Sequence, residues 1–349
     1  MNKKLQDHND TSDQGVPAAR HAYDLLGPDQ VLDAVESLGL VSNARIFALN
    51  SYENRVYQIG LEDGGFVIAK FYRPERWSDE SILEEHAFSA ELADLEIPVV
   101  PPTVVDGKTL HHFQIEDQSF RFALFPRLGG RAPELDDPDN LQVLGRFLGR
   151  LHSVGSNGQF VHRKTLNVDD WAVVSRDYLL DKGFIPHSLR EAYSSLSRDL
   201  IQAVSSIFAD SRSMRQIRLH GDCHPGNVLW REDQPWFVDF DDAINGPAIQ
   251  DLWMLLSGER DQRQGQLLEI VEAYEEFFEF DARELPLIES LRTLRMMHYS
   301  AWLARRWDDP AFPLSFPWFN TERYWAEHVL ELREQMAALN EPPLQLFPY

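Results

Sequence analysis

Several scarcities frame this sequence. One cysteine, Cys223, stands among 349 residues. No disulfide can therefore form within the chain, which fits a reducing compartment. No apolar stretch reaches the roughly 18 residues that a membrane-spanning helix needs. The polar opening, residues 1–15, lacks the apolar core of a secretory signal. Basic residues are outnumbered, 33 Lys and Arg against 56 Asp and Glu, for a formal charge of -23. A field of that sign repels nucleic acid and anionic lipid. Glycine is missing where a phosphate cradle often needs it, because no G-x-G-x-x-G run precedes Lys70. The expectation is a cytoplasmic monomer with neither nucleic-acid nor membrane partners.

What is present suffices for two domains, with 43% hydrophobic residues to fill their cores. Residues 1–22 are polar and aperiodic and read as a disordered tail. Gly27-Pro28-Asp29 then opens a short helix carrying Val31, Leu32, Val35 and Leu38 at helical spacing. Strand-like runs follow at 44–49, 54–60 and 65–72, the last two joined by a Glu62-Asp63-Gly64-Gly65 turn. A helix is predicted over 79–94, and an extended Ile97–Pro102 linker follows it. Further strands are predicted at 103–105, 109–116 and 119–126. Arg127-Leu128-Gly129-Gly130 breaks the pattern, and from 138 onward the periodicity is helical. Helices are expected near 169–180, 188–209, 247–257, 260–279, 285–307 and 321–338. The pattern predicts an α+β protein of two lobes, a small β-rich one over 23–126 and a larger, mainly helical one over 127–349. The site would lie in the cleft between them.

The chemistry is concentrated between Leu219 and Asp242. Asp222 is followed five positions on by Asn227, and Asp239 closes the apolar run Trp236-Phe237-Val238. That order suits phosphoryl transfer from a magnesium nucleotide. One carboxylate takes the proton of the attacking hydroxyl, while an amide and a second carboxylate hold metal. Val228-Leu229-Trp230 and Trp236-Phe237-Val238 flank a turn-rich 231–235 and read as a hairpin. Its closure would bring Asn227 and Asp239 together. Other readings of the same residues are a His220–Asp222–His224 metal cluster, a Cys223–His224 nucleophile pair, or plain turn and strand-end carboxylates. The first two leave Asn227 and Asp239 without a role. Lys70 ends the apolar run Phe66–Phe71 as a phosphate-contacting lysine would, or as a lysine snorkelling from an edge strand.

The H-G-D-x-H-P-G-N stretch and the following V-D-F-D-D resemble the aminoglycoside phosphotransferase and choline kinase group of kinase-like enzymes. More narrowly, Asn50–Tyr57, Lys70–Trp77 and Gln250–Leu256 resemble its bacterial stress response kinase branch, over roughly residues 28–349. The resemblance implies a protein-kinase-like fold, ATP and Mg2+ as cofactors, and serine or threonine side chains of proteins as acceptors. It implies Ser51 as a nucleotide contact and Glu85, with Glu84 as fallback, as the carboxylate pairing with Lys70. It also implies a hinge near Phe125 that meets the adenine, and Asp251 as a brace for the catalytic loop. Asp241 reads as a solvated turn residue.

Two features depart from the protein-kinase pattern. After Asp239 the chain enters a helix near Pro247 with no long activation segment and no Ala-Pro-Glu triplet, so the usual peptide shelf is missing. The aromatic segments His298–Trp307 and Phe312–Phe319 are unusual, and a tryptophan stripe at helical spacing reads first as core. If they instead face the cleft, they wall its acceptor side with Arg305 or Arg306 near phosphate. A small-molecule kinase of the aminoglycoside, choline or homoserine sort shares every motif above. A silent nucleotide-binding scaffold is the reading from another class, and the intact Lys70, Asp222, Asn227 and Asp239 set speaks against it.

Overall fold

The computed structural model describes residues 23–210 and 213–346. The expected tail, 1–22, lies outside them. Helix α1 (Pro28–Glu36) starts on a proline, whose missing N–H costs nothing in a first turn. It turns Val31, Ala34 and Val35 inward. Five antiparallel strands follow, β1 (Ser42–Ala48), β2 (Arg55–Leu61), β3 (Phe66–Phe71), β4 (His111–Ile115) and β5 (Gln118–Pro126), in the order β1-β2-β3-β5-β4. Strand alternation sorts their side chains onto two faces. Ala69, Phe71, Phe120, Phe122 and Leu124 pack under α1. Ala123 on the opposite face meets Tyr72 and Ile82. Lys70, between Ala69 and Phe71, therefore points away from α1. Helix α2 (Asp79–Asp94) is capped by Ser78, whose side chain accepts from the Ser81 amide. Segment 103–105 is reduced to a single bridge between Val105 and Lys108, short of the strand expected there.

The larger lobe begins with α3 (Pro138–Gly155), capped by Asp137. It crosses α7 (Arg260–Tyr274) so closely that a Cβ on Gly145 or Gly149 would collide with the carbonyl oxygens of Ile270 and Tyr274. A five-residue π-helical turn, Asp169–Val173, leads into α4 (Val174–Asp181), and α5 (Arg190–Asp210) follows. Strands β6 (Ile217–Leu219) and β9 (Ile244–Gly246) pair antiparallel, as do β7 (Val228–Arg231) and β8 (Gln234–Phe237). The helix expected over 247–257 is a single turn, α6 (Ile249–Leu252), continued by 3-10 geometry over Trp253–Leu255. α8 (Leu287–Arg305), α9 (Ala311–Ser315) and α10 (Glu322–Ala338) complete the lobe. The fold is thus the expected α+β pairing of a small sheet lobe with a helical one. Among the described residues no helix is long and apolar enough to cross a membrane.

Candidate active site

β6 delivers the chain to the site, and its continuation is fastened from below. Asp251 of α6 is fully buried and accepts the amides of His220 and Gly221, each at 2.8 Å. His152 Nε2 approaches the same carboxylate at 3.1 Å. Gly221 sits at φ +86°, and a Cβ there would strike the Asp242 carbonyl, so the turn needs glycine. The His220 ring donates from Nε2 to the Val238 carbonyl at 2.8 Å. That bond ties the strand end that carries Asp239 to the loop. No group of three His, Cys, Asp or Glu suited to a metal occurs among the described residues. Cys223 is buried, and burial pushes its thiol well above the ordinary range, which removes the nucleophile reading.

Asp222 emerges from this loop with both carboxylate oxygens engaged. Oδ1 accepts from Arg295 of α8, and Oδ2 faces His224 Nε2 and Asn227 Nδ2, each at 3.5 Å. His224 Nδ1 accepts the Gly226 amide, so its Nε2 bears the proton. Burial alone would raise the Asp222 pKa. The His224 hydrogen bond and the Arg295 charge outweigh it and hold the carboxyl well below the usual range. The β7–β8 hairpin brings the other two residues together, since the Val238 amide donates to the Asn227 carbonyl at 3.0 Å. Asp239 follows in a left-handed conformation, φ +61°, that a non-glycine residue adopts only under constraint. Its side chain is about half exposed. An amide oxygen and a carboxylate, with phosphate and water completing the shell, suit a hard octahedral cation such as Mg2+.

Lys70 is buried, with Nζ 2.8 Å from Asp239 and 3.3 Å from Asp241. Desolvation lowers its pKa, yet those carboxylates, with Glu85 behind them, raise it well above normal. The expected Lys70–Glu85 pair is not the contact made. Glu85 is bonded to Arg163 at 3.0 Å, because Arg163 is buried beside α2, where it also holds the carbonyls of Ser81, Asp241 and Ala243. Burial lifts the Glu85 carboxyl to about 7 despite both cations. Glu84, the fallback, accepts the amides of Val161, His162 and Arg163 and so fastens α2 to the larger lobe. Asp241 is no solvated turn residue. It is 3% exposed, paired with Arg76 as well as Lys70.

Ser51 lies in the connection between β1 and β2, and Phe125 lies on β5 opposite Ile68, immediately before the chain leaves the sheet. The connection is tethered through Glu53. Its buried carboxylate meets Arg73 at 3.1 Å, Arg306 at 2.5 Å and the Trp302 indole N–H at 2.6 Å. Asp309 completes the tether by pairing with Arg55 and Arg73. Trp302 and Arg306 thus serve the loop between β1 and β2, whereas Trp307 packs on Phe319 in the interior. Arg305 lies over the Tyr178 ring. Sequence reasoning did not find Glu53, Arg76, Arg163 or Arg295. Arg295 has a sequence signal, a lone charge in the apolar setting Leu294-Arg295-Met296, whereas Glu53, Arg76 and Arg163 stand among other polar residues and have none.

A family model described as the phosphotransferase enzyme family matches residues 46–287. Stress response kinase A of Escherichia coli (strain K12) is 47% identical over 326 residues, covering 93% of this chain and 97% of that protein. A Salmonella typhimurium (strain LT2) protein named serine/threonine protein kinase RdoA is 45% identical over the same shares. Among solved structures, a microcompartment-associated aminopropanol kinase matches with a TM-score of 0.69 and 18% identity, over 90% of this chain and 99% of that one. Amicoumacin kinase in complex with AMP-PNP, Ca2+ and Ami matches with a TM-score of 0.67 and 18% identity, over 90% and 94%. At that identity the likeness to the two structures shows the fold.

Proposed function

This chain belongs to the phosphotransferase enzyme family and is a kinase; from that premise we propose that it moves the γ-phosphoryl group of ATP onto a serine or threonine hydroxyl of a protein. The observation that carries the reading is the convergence of Asp222, Asn227, Asp239 and Lys70: the Asn227 amide group donates to the Asp222 carbonyl, the Val238 amide donates to the Asn227 carbonyl, and Lys70 Nζ lies 2.8 Å from Asp239. Asp222 takes the hydroxyl proton as the acceptor oxygen bonds to phosphorus and the bond to the ADP oxygen breaks. Its lowered pKa means it begins ionised, and a weak base of this kind orients the hydroxyl and removes the proton late. Asn227 and Asp239 would hold Mg2+, which would neutralise charge on the phosphates. Lys70 turns from the carboxylates it faces toward the phosphates, Ser51 covers them, and backbone near Phe125 meets the adenine. Glu85 acts through Arg163, fixing α2 rather than gripping Lys70.

The short passage from Asp239 to α6 supports a second reading, a small-molecule kinase, because it leaves no peptide shelf. One experiment separates the two. Parent and Asp222→Ala protein are incubated with γ-labelled ATP and magnesium against a protein panel and a panel of amino alcohols and sugars. Acid-stable label on protein serine or threonine, lost in the variant, supports the first reading. Label confined to small acceptors overturns it.

A further inference from the structure

At the end of β6 remote from Asp222, between the segment entering that strand and the connection from α7 to α8, lies a cavity of about 560 Å³. That size falls within the range of small-molecule sites, about 300–1,000 Å³. Arg215, Ile217, Ala248, Phe278, Phe280 and Glu284 line it. None of them belongs to the phosphate site described above.

Glu284 is the buried polar group of this lining, 2% exposed. A 3-10 turn, Ala282–Glu284, delivers it, capped by the Asp281 side chain on the Arg283 amide. One carboxyl oxygen accepts the Ile249 amide at 2.8 Å, and no donor reaches the other among the described residues. Burial comes first in raising the Glu284 pKa to about 8, and Asp281 adds to it. The Ile249 bond and the charges of Arg215 and Arg283 offset this only in part. At neutral pH the carboxyl therefore keeps its proton and is an O–H donor without charge. Arg215 supplies the charge. Its guanidinium lies over the Phe278 ring at 5.1 Å, and no carboxylate pairs with it among the described residues. Arg283, by contrast, is spent on Asp281. A single negative charge answers Arg215, whereas a dianion would also face Glu279 and Asp281 on the same lining. An amine would meet Arg215 as a like charge and would have to strip the Glu284 proton.

Two routes run from this lining to the catalytic loop. Ile249, whose amide Glu284 holds, opens α6, and Asp251 of that turn accepts the amides of His220 and Gly221. Phe280 packs edge-on against Tyr274 with centroids 6.1 Å apart. The Tyr274 hydroxyl lies 2.9 Å from His152 Nδ1, and His152 Nε2 meets Asp251 at 3.1 Å. Both routes end on the carboxylate that fastens the loop.

We infer that this cavity is an effector site for a small organic carboxylate with an apolar body, its charge held by Arg215 and the Glu284 hydroxyl and its body received by Phe278 and Phe280. A carboxylate there accepts from the Glu284 O–H, fixes that side chain on the Ile249 amide and steadies α6. The inference goes beyond phosphoryl transfer, and its test needs neither nucleotide nor acceptor.

Calorimetry on the full chain compares benzoate and indole-3-acetate with their uncharged amides, with benzylamine and with inorganic phosphate. The two carboxylates should bind about tenfold more tightly than the amides, the scale of one charge-assisted hydrogen bond. Arg215→Gln should abolish that preference, and Arg215→Lys should keep most of it. Glu284→Gln retains a neutral donor and an acceptor for Ile249, so its affinity for benzoate should stay within about threefold of the parent's. If that variant fails to fold, Arg215→Gln, at an exposed position, carries the comparison. Hydrogen–deuterium exchange reads the effect on the loop. With benzoate bound, the amides of Ile249, His220 and Gly221 should exchange several-fold more slowly, and Arg215→Gln should lose this protection. Equal binding of acids and amides overturns the site, as does preference for benzylamine or phosphate, or a preference that persists in Arg215→Gln. Binding that leaves the three amides unchanged overturns the control of the loop. Failure of the phosphotransferase reading would show elsewhere, as no transfer from ATP to any acceptor.

Discussion

At the scale of single residues the site depends on how few groups carry each duty. Asp222 is the one carboxylate that faces Arg295, His224 and Asn227 at once. Asp222→Ala should fold, bind ATP nearly as before and lose about 10²–10⁴ in turnover. Single-turnover kinetics at saturating ATP would check this, and near-normal turnover would place the base elsewhere. Asp239 is half exposed beside Asn227 and bonds Lys70. Asp239→Asn keeps the shape and removes the charge, so the magnesium concentration for half-maximal activity should rise. An unchanged magnesium titration would show that Asp239 is no ligand. The proximity of Asp222, Asn227 and Asp239 was legible because a loop and a hairpin are local in sequence. The partner of Lys70 was not. Lys70, Glu85, Asp239, Asp241, Arg76 and Arg163 can pair in several ways, and the packing of Arg163 under α2 decides that Glu85 goes to it.

At the scale of elements, long periodic segments and the turn-marked β7–β8 hairpin declared themselves, while short strands without a turn between them did not. α3, α7, α8 and α10 have enough turns for a repeat to show, whereas β6 and β9 are three residues each and hold together by pairing with one another. Helix α2 illustrates a cost that periodicity conceals. Its His86 is buried between the Tyr72 hydroxyl, at 2.7 Å, and Thr109 Oγ1, at 2.9 Å. Burial, reinforced by Lys70 and Arg163, lowers its pKa to about 3. The unfolded chain takes up this proton near 6.5, and the native chain does so only near 3. The native state therefore holds fewer protons between those values, and stability falls as pH drops through them. Glu85, raised to about 7, works in the opposite direction above its unfolded value, so the difference between variants is the clean readout. Between pH 6 and pH 4 the parent should lose up to about 1.4 kcal/mol per pH unit more than His86→Gln. Urea midpoints across that range would show it. Parallel curves would mean that His86 is protonated in the native state.

At the scale of the molecule, the charge of -23 acts beyond contact distance. A basic protein bearing serine or threonine should be the faster generic acceptor, and its advantage in kcat/KM should shrink as salt is raised toward physiological strength. Rates that ignore salt would show that encounter is not steered by the field. The tether at Glu53 has a further consequence of a different kind. The loop between β1 and β2 belongs to the sheet lobe, yet its carboxylate is held by Trp302 of α8 and by Arg306 immediately after that helix. On the proposed reading, a nucleotide under Ser51 and an acceptor at Asp222, which Arg295 of α8 holds, sit at two ends of one mechanical link. Equilibrium reciprocity then requires that whatever factor the nucleotide adds to acceptor affinity, the acceptor adds to nucleotide affinity. Trp302→Phe removes the indole N–H and loosens the link, and it should bring both factors toward one together. An unchanged factor in Trp302→Phe, read by calorimetry, would show that the tether carries no coupling. In a chain with this tether, tight nucleotide binding and acceptor selection cannot be tuned independently.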